Sequence, residues 1–430
     1  MTNPLSLHDR HRAVLPNWMG LYYKEPISLV DGKGRRVRDS GGNEYLDFFA
    51  GILTNMIGYN VPEIVEAIQD QAGKILHTST LYMIESQVEL AEEIAALSGI
   101  PDARVFFTNS GSEANDAALM LATAYRNSNQ ILAMRYSYHG RTFSTVPVTG
   151  HSTWSPSSLS PFMVNYIHGS YPYRSPFGHM SKDDYIKACT DDLREILSVA
   201  TAGDVACMLA EPILGVGGFG TPPDGLFGAF HEVLKERGIL FISDEVQTGW
   251  GRTGSHFWGY EAHGFTPDII TFAKGLGNGL AIGGLVARGD IMNCWSASSI
   301  STFGGNPLAT RGAQAVLNYL KDHELQKNTA ERGAELLAGL EKLAAENEII
   351  GDVRGKGLML GIEFVKPGSK DPNPEAAAAM LEETRARGLL VGKGGLFGNV
   401  IRMAPPMTLT ADEVAEGADI LRAALKTVDH

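Results

Sequence analysis

Between residues 104 and 285 the chain alternates short apolar runs with segments of helical periodicity, and this alternation constrains the fold more than any other feature. The strand-like runs are Val105-Phe106-Phe107, residues 130–134, 205–210 and 283–287, and two more, Ile239-Leu240-Phe241-Ile242-Ser243 and Asp268-Ile269-Ile270-Thr271-Phe272-Ala273. Each is short and rich in β-branched or aromatic residues, as strands are. Helical patterns start at Glu113 and cover residues 226–237. Strand and helix in alternation imply an α/β fold, a mostly parallel sheet with helices on both faces. Ligands of such sheets bind beyond the carboxyl ends of the strands. Asp244 and Lys274 each close one of the apolar runs, so both are predicted at that edge.

The rest of the chain changes texture. After about residue 325 come a long amphipathic helix (324–347), a strand-like Leu358-Met359-Leu360-Gly361-Ile362-Glu363-Phe364 and a Pro/Gly/Ser-rich loop (366–374). A helix ending at Gly388 follows, then a strand over 400–403 and a last helix capped by Thr410 and Glu413. These segments suggest a smaller α+β domain, completed by N-terminal residues around Tyr45-Leu46-Asp47-Phe48. The predicted division is 1–60 joining the small domain, 61–325 as the large domain and 326–430 as the C-terminal small domain. Asn60 and Pro62 are expected to open one helix, and Ser86 with Glu89 to cap the next.

Composition narrows the class of partner. With 44% apolar and 20% charged residues among 430, the chain is expected to be a soluble globular protein. Its formal net charge of −13 argues against nucleic acid or an anionic membrane as the main partner. Cys189, Cys207 and Cys294 are scattered, with neither C-x-x-C spacing nor a histidine cluster, so no metal site is expected. No apolar leader or 18-residue apolar run is visible, and a cytoplasmic location is the expectation.

Several motifs carry chemistry. Thr108-Asn109-Ser110-Gly111-Ser112-Glu113-Ala114-Asn115 follows a strand and opens a helix, so free N–H groups, the positive helix end and serine hydroxyls can cradle a phosphate. A plain Ser110–Glu113 capping box is compatible with that reading. Tyr138, in Ser137-Tyr138-His139-Gly140, lies beyond another strand and can stack on a flat ring, whereas His139 reads as structural. Gly215-Val216-Gly217-Gly218-Phe219-Gly220 has the G-x-G-x-x-G spacing, but Pro222 and Pro223 stand where a dinucleotide fingerprint must open a helix. Gly351-Asp352-Val353-Arg354-Gly355-Lys356-Gly357 lacks P-loop spacing and its hydroxyl residue. A phosphate cradle, a stacking ring, a carboxylate and a primary amine at one sheet edge are what pyridoxal phosphate needs. The lysine forms a Schiff base, and the aspartate keeps the ring nitrogen protonated.

Residues 241–254, Phe-Ile-Ser-Asp-Glu-Val-Gln-Thr-Gly-Trp-Gly-Arg-Thr-Gly, and 267–275, Pro-Asp-Ile-Ile-Thr-Phe-Ala-Lys-Gly, resemble class III aminotransferases. The likeness runs from about Tyr45 to the C-terminus. Val391-Gly392-Lys393-Gly394-Gly395 with Arg402-Met403-Ala404-Pro405-Pro406 is most similar to the alanine–glyoxylate type and its omega-transaminase relatives. The resemblance implies fold type I and a homodimer or larger homo-oligomer with shared sites. It implies Lys274 as Schiff-base lysine and proton shuttle, Asp244 as partner of the ring nitrogen, and Gln247 near the ring 3-oxygen. Val246 and Tyr138 would sandwich the ring, Gly111 and Ser112 hold the phosphate, and Glu211 lie close by. Thr302 would reach the phosphate of the neighbouring subunit, and Arg402 would bind the substrate carboxylate.

Two departures from relatives matter. Ornithine and 4-aminobutyrate transaminases place a second glutamate five positions after the Glu-Pro glutamate, where this chain has Val216, so Arg402 is expected to lack that gate and to swing toward solvent when a donor has no carboxylate. Dialkylglycine decarboxylase carries glutamine and tryptophan where this chain has Ile52 and Tyr138, which weakens a decarboxylase reading. The implied activity is transfer of an amino group from an ω-amino acid, alanine or a similar amine to an oxo acid such as pyruvate or glyoxylate. Decarboxylation or intramolecular amino transfer on the same cofactor is the rival. A non-catalytic regulator would need a basic DNA-binding module that the sequence does not show. Donor choice would depend on loop and N-terminal residues such as Trp18, Tyr22, Tyr23 and Leu53.

Overall fold

The structure, a computed structural model, describes residues 5–428. Its largest sheet has seven strands in the order Ala103–Thr108, Gly283–Arg288, Ile269–Phe272, Leu240–Asp244, Cys207–Ala210, Gln130–Met134, Met163–Ile167. Gly283–Arg288 runs antiparallel to both neighbours, while the five strands on its far side pair in parallel. Alternate residues of each strand enter different cores, because side chains on a strand point to opposite faces. Leu132, Met134, Met208 and Phe241 pack with Tyr185, Leu193, Phe227 and Phe230 of helices Lys182–Val199 and Leu226–Lys235. Ile131, Ala133, Leu209 and Ile242 pack on the other face with Leu119 and Ala122 of helix Gly111–Arg126. Both faces are thus covered, which is why the strands read as nearly continuous apolar runs.

The N- and C-terminal parts of the chain interleave. Strands Leu29–Lys33, Arg36–Asp39 and Glu44–Asp47 form a small sheet that Leu389–Leu390 completes in parallel, Leu389 pairing with Leu46. A further sheet joins Ile350–Lys356, Met359–Phe364, Val400–Met403 and Gly392–Gly394. Leu46 and Phe48 share a core with Leu336, Leu340, Phe364, Ile401 and Leu421. The final helix, Ala411–Val428, starts as its sequence predicts: Glu413 N donates to Thr410 Oγ1 at 3.3 Å and Thr410 N to Glu413 Oε2 at 3.0 Å.

Two helix starts differ from the sequence reading. Helix Pro62–Ala72 is capped at Val61, and Asn60 is left-handed (φ 50°) and outside the cap. Helix Glu85–Leu97 follows Ile84, while Ser86 Oγ is drawn to Thr310 Oγ1 (2.8 Å) and Glu89 to Arg311 (3.2 Å). At Ser86 and Glu89 the local capping preference yields to tertiary contacts that the sequence pattern does not contain.

Candidate active site

Asp244 ends its strand, Lys274 lies two residues past the end of the neighbouring parallel strand, and Asp244 pairs in register with Thr271. The Asp244 carboxylate is buried and oriented by three donors. Asn115 Nδ2 gives a hydrogen bond to Oδ2 at 2.7 Å, His139 Nδ1 one to the same oxygen at 2.8 Å, and Val246 N one to Oδ1 at 3.2 Å. An ionised carboxylate only accepts, so the His139 proton sits on Nδ1. The sequence reading leaves His139 as structural and gives Asn115 no role; the structure puts both on Asp244. Asn115 is one helical turn beyond Gly111, and its Oδ1 accepts from Thr271 Oγ1 at 2.6 Å, which locks its amide.

Lys274 follows Ala273 in a left-handed conformation (φ 44°) and opens a single 3₁₀ turn, Lys274–Gly277. A non-glycine residue held there stores strain and needs surrounding support. Asn278 supplies some: its Oδ1 accepts from Ile57 N at 2.9 Å and its Nδ2 donates to Gly58 O at 3.0 Å. Gly275 is required because any Cβ would lie 2.8 Å from Met56 Sδ. Among the described residues the Lys274 amine has no hydrogen-bond partner. Burial pulls its pKa down to about 8, with Arg402 acting in the same direction and Asp244 and Glu211 opposing.

At the start of helix Gly111–Arg126 the capping box forms without using the first helical amides. Ser110 Oγ accepts from Glu113 N at 3.2 Å, and Glu113 Oε2 accepts from Asn109 N at 2.7 Å. The amides of Gly111 and Ser112 remain free among the described residues, at the positive end of a 16-residue helix. Gly111 packs on Val246: a Cβ there would lie 3.0 Å from Val246 Cγ2. Glu245, buried and raised to about 7, ties the following loop by accepting from Gly259 N and Tyr260 N, each at 2.8 Å. That anchoring fixes the loop that carries Val246 and Gln247 directly after it. Gln247 Oε1 is buried without a partner among the described residues. Glu211, pushed up to about 7 by burial, accepts from Tyr138 N at 2.9 Å and Gly215 N at 2.7 Å, and so ties the backbone at Tyr138 to the turn at Gly215. Trp154 meets Tyr138 edge to face, 5.3 Å between centroids.

Arg402 lies on strand Val400–Met403. It is 4% exposed and points to no carboxylate: Nη1 donates to Gly215 O and Nη2 to Lys393 O, both at 3.0 Å. Its guanidinium lies 5.1 Å from the Phe49 ring centre and 5.4 Å from that of Phe219, while Nε is buried without a partner among the described residues. Backbone carbonyls and aromatic faces, which the sequence pattern cannot display, hold the charge in place of a gate glutamate and keep the guanidinium turned inward; the expected swing toward solvent belongs to a bound donor without a carboxylate. Thr302 lies apart from these groups within one chain. It is exposed, next to Ser301, whose Oγ accepts from Asn109 Nδ2 at 3.3 Å. Tyr22 stacks on Phe49 at 6.2 Å, and Leu53 is buried beside Ile213 and Phe219, whereas Trp18 is exposed.

The sequence reading missed one backbone feature here. Ala50, Gly51, Ile52 and Leu53 all have positive φ, from 49° to 65°, a left-handed turn started by Asp47 Oδ1, which accepts from Phe49 N at 2.7 Å and Ala50 N at 3.0 Å. Only Gly51 hints at it in the sequence.

Free helix-end amides, an oriented carboxylate, an unpartnered amide and an unpartnered low-pKa amine at one sheet edge fit pyridoxal phosphate in donor set and charge. The class defined by fold and site is therefore the pyridoxal-phosphate-dependent enzymes of fold type I. Comparison with known proteins makes it narrower. Residues 22–425 match the family model for aminotransferase class-III. The chain is 39% identical over 407 residues to alanine–glyoxylate aminotransferase 2 homolog 2, mitochondrial, of Arabidopsis thaliana, covering 94% of this chain and 84% of the relative. It is 36% identical to human alanine–glyoxylate aminotransferase 2, mitochondrial, over 98% and 85% of the two chains. An amine transaminase from an uncultivated Pseudomonas species, solved with pyridoxal phosphate bound, superposes with a TM-score of 0.89 at 28% identity, covering 95% of this chain and 97% of that one. The chain belongs to the class III aminotransferases, and it is a pyridoxal-phosphate-dependent transaminase acting on amino and oxo acids.

Proposed function

We propose that this enzyme moves an amino group from an ω-amino acid, alanine or a similar amine to a short oxo acid such as pyruvate or glyoxylate, at sites shared within a homodimer. One observation carries the reading: Lys274, Asp244 and a carboxylate-free Arg402 converge where Glu211 and the turn at Gly215 link them. The bound cofactor supplies an electron sink for the bond broken at the substrate carbon. The protein supplies the rest. Asp244, held by Asn115 and His139, fixes a negative charge where a ring N–H is needed. Lys274 Nζ, titrating near neutrality, takes a proton from the substrate carbon and returns it. The Gly111 and Ser112 amides bind phosphate, Gln247 offers its amide to the ring oxygen, and Val246 and Tyr138 bracket the ring. Arg402 fixes the acid by its carboxylate, leaving the reacting carbon toward Lys274.

The dimer is supported by an exposed apolar surface beside the phosphate cradle. Ile75, Leu81, Tyr82 and Met83 (99% exposed) lie on one loop, and Ile300 and Phe303 flank Thr302 on another. The ring of His77 joins the two loops by packing 4.9 Å from that of Phe303. An apolar surface of this kind marks a partner interface, and a second copy of this chain seated on it would bring Thr302 to the neighbouring phosphate site. A reducing cytoplasm suits Cys189 and Cys207, which are free and buried in the core. The test is a matrix of donors and oxo-acid acceptors followed by cofactor absorbance in each half reaction. Turnover of ω-amino acids or alanine with pyruvate or glyoxylate supports the reading, and loss of carbon dioxide in place of amino transfer contradicts it.

A further inference from the structure

The two glycine-rich runs that fail as nucleotide fingerprints meet in the structure. Arg354 Nε and Nη2 both donate to Gly218 O, at 3.0 and 2.7 Å. The guanidinium is itself fixed: Nη1 reaches Glu363 Oε2 at 2.8 Å and Asp352 Oδ2 at 2.6 Å, and Nη2 reaches Tyr171 OH at 2.5 Å. Glu363 is fully buried and is bonded also by Arg174, Nε to Oε1 at 2.6 Å, and by the Tyr171 hydroxyl. Gly218 N in turn donates to Gly215 O at 3.2 Å, the carbonyl that holds Arg402 Nη1. The turn from Gly215 to Gly218 is thus pinned at its start by Glu211 and at its end by Arg354. Glycine is needed at its end, where φ is 91° and a Cβ would meet Val400 Cγ2 at 2.9 Å. One face of the strand pair that carries Arg354 and Glu363 continues to Arg402, since Gly361 pairs with both Arg354 and Arg402.

We propose that Arg354 is a positioning residue for substrate recognition: it sets the 215–218 turn so that the Gly215 carbonyl aims the Arg402 guanidinium at the substrate carboxylate. The inference rests on Arg402 being the carboxylate ligand. In a chain with valine at position 216, aim comes from this backbone turn and not from an acidic partner. Lysine cannot replace Arg354, because an ammonium has no planar fork to serve Gly218 O, Glu363 and Tyr171 together. A merely structural lock between the two parts of the chain would lower stability and affect both half reactions alike.

The test uses the holoenzyme and Arg354→Lys, Arg402→Ala, their double variant and Gly218→Ala. Propionate binding is measured calorimetrically as a non-reacting carboxylate probe, together with the half reactions of pyruvate and of a carboxylate-free amine. Arg354→Lys should weaken propionate and pyruvate binding about tenfold, the scale of one misaligned charge-assisted bond. The amine half reaction should stay within about twofold of wild type, and adding Arg354→Lys to Arg402→Ala should cause no further loss. A repeated tenfold loss in the double variant, or an equal fall with the amine, overturns the proposal. Should Arg354→Lys not fold, Gly218→Ala leaves every charge in place and must give the same split; a folded Gly218→Ala enzyme with unchanged propionate binding refutes the idea. Propionate binding untouched by Arg402→Ala removes the carboxylate assignment itself, and this inference with it.

Discussion

Lys274 should act as a nucleophile near neutral pH, and the structure sets how far. Its pKa of about 8 leaves roughly a tenth of the amine unprotonated at pH 7, against about one part in three thousand for a lysine at 10.5, a gain of about 300-fold in reactive form. A lysine is reactive above its pKa, so the rate of cofactor capture by the cofactor-free protein should rise with pH and level off above about 8. The causes give signs for two variants. Asp244→Asn removes a charge that raises the pKa, so the midpoint should move to lower pH; Arg402→Met removes one that lowers it, so the midpoint should move up. Capture is quenched with borohydride at intervals and the Lys274 peptide quantified, which separates it from surface lysines. A rate that climbs without a break beyond pH 10, or midpoints that move in the opposite directions, would refute the argument from burial and neighbouring charge.

Arg402→Ala should cost the oxo-acid half reaction roughly 2 to 4 kcal/mol, the scale for losing a charge-assisted pair, and a carboxylate-free amine much less; separate single-turnover measurements of the two halves check this, and equal losses would place the carboxylate elsewhere. Asp244→Asn should keep cofactor better than it keeps rate, because an amide keeps the shape and one acceptor oxygen but not the charge; an unchanged single-turnover rate would remove Asp244 from its role. Mixing Lys274→Ala chains with Thr302→Ala chains should restore activity, since one site of each hybrid dimer would carry neither defect. Demonstrated hybrids without recovery would mean that the sites are not shared.

What the sequence displayed and what it hid divide along physical lines. Asp244 and Lys274 are legible because each terminates an apolar strand, and strand ends in a parallel sheet share an edge. The Gly111 cradle is legible because the glycine, the cap and the helix start are adjacent in the chain. Asn115 and His139 were invisible as ligands of Asp244 because they reach it across 129 and 105 positions of sequence. The signals available were weak: Asn115 shares a helix face with Gly111, and His139 adjoins Tyr138. The Arg402 setting is hidden because its partners are main-chain carbonyls of Gly215 and Lys393, and any sequence supplies those. Ser86 has the right spacing to Glu89 for a cap, yet burial against Thr310 decides its bond.

We place the cofactor on Lys274, at the sheet edge beside Asp244. Reducing the yellow holoenzyme with borohydride and mapping its peptides tests that most directly. A single cofactor-labelled peptide containing Lys274 is expected, with neither the label nor transamination in Lys274→Ala. A label on any other lysine, or amino transfer surviving in Lys274→Ala, would contradict it.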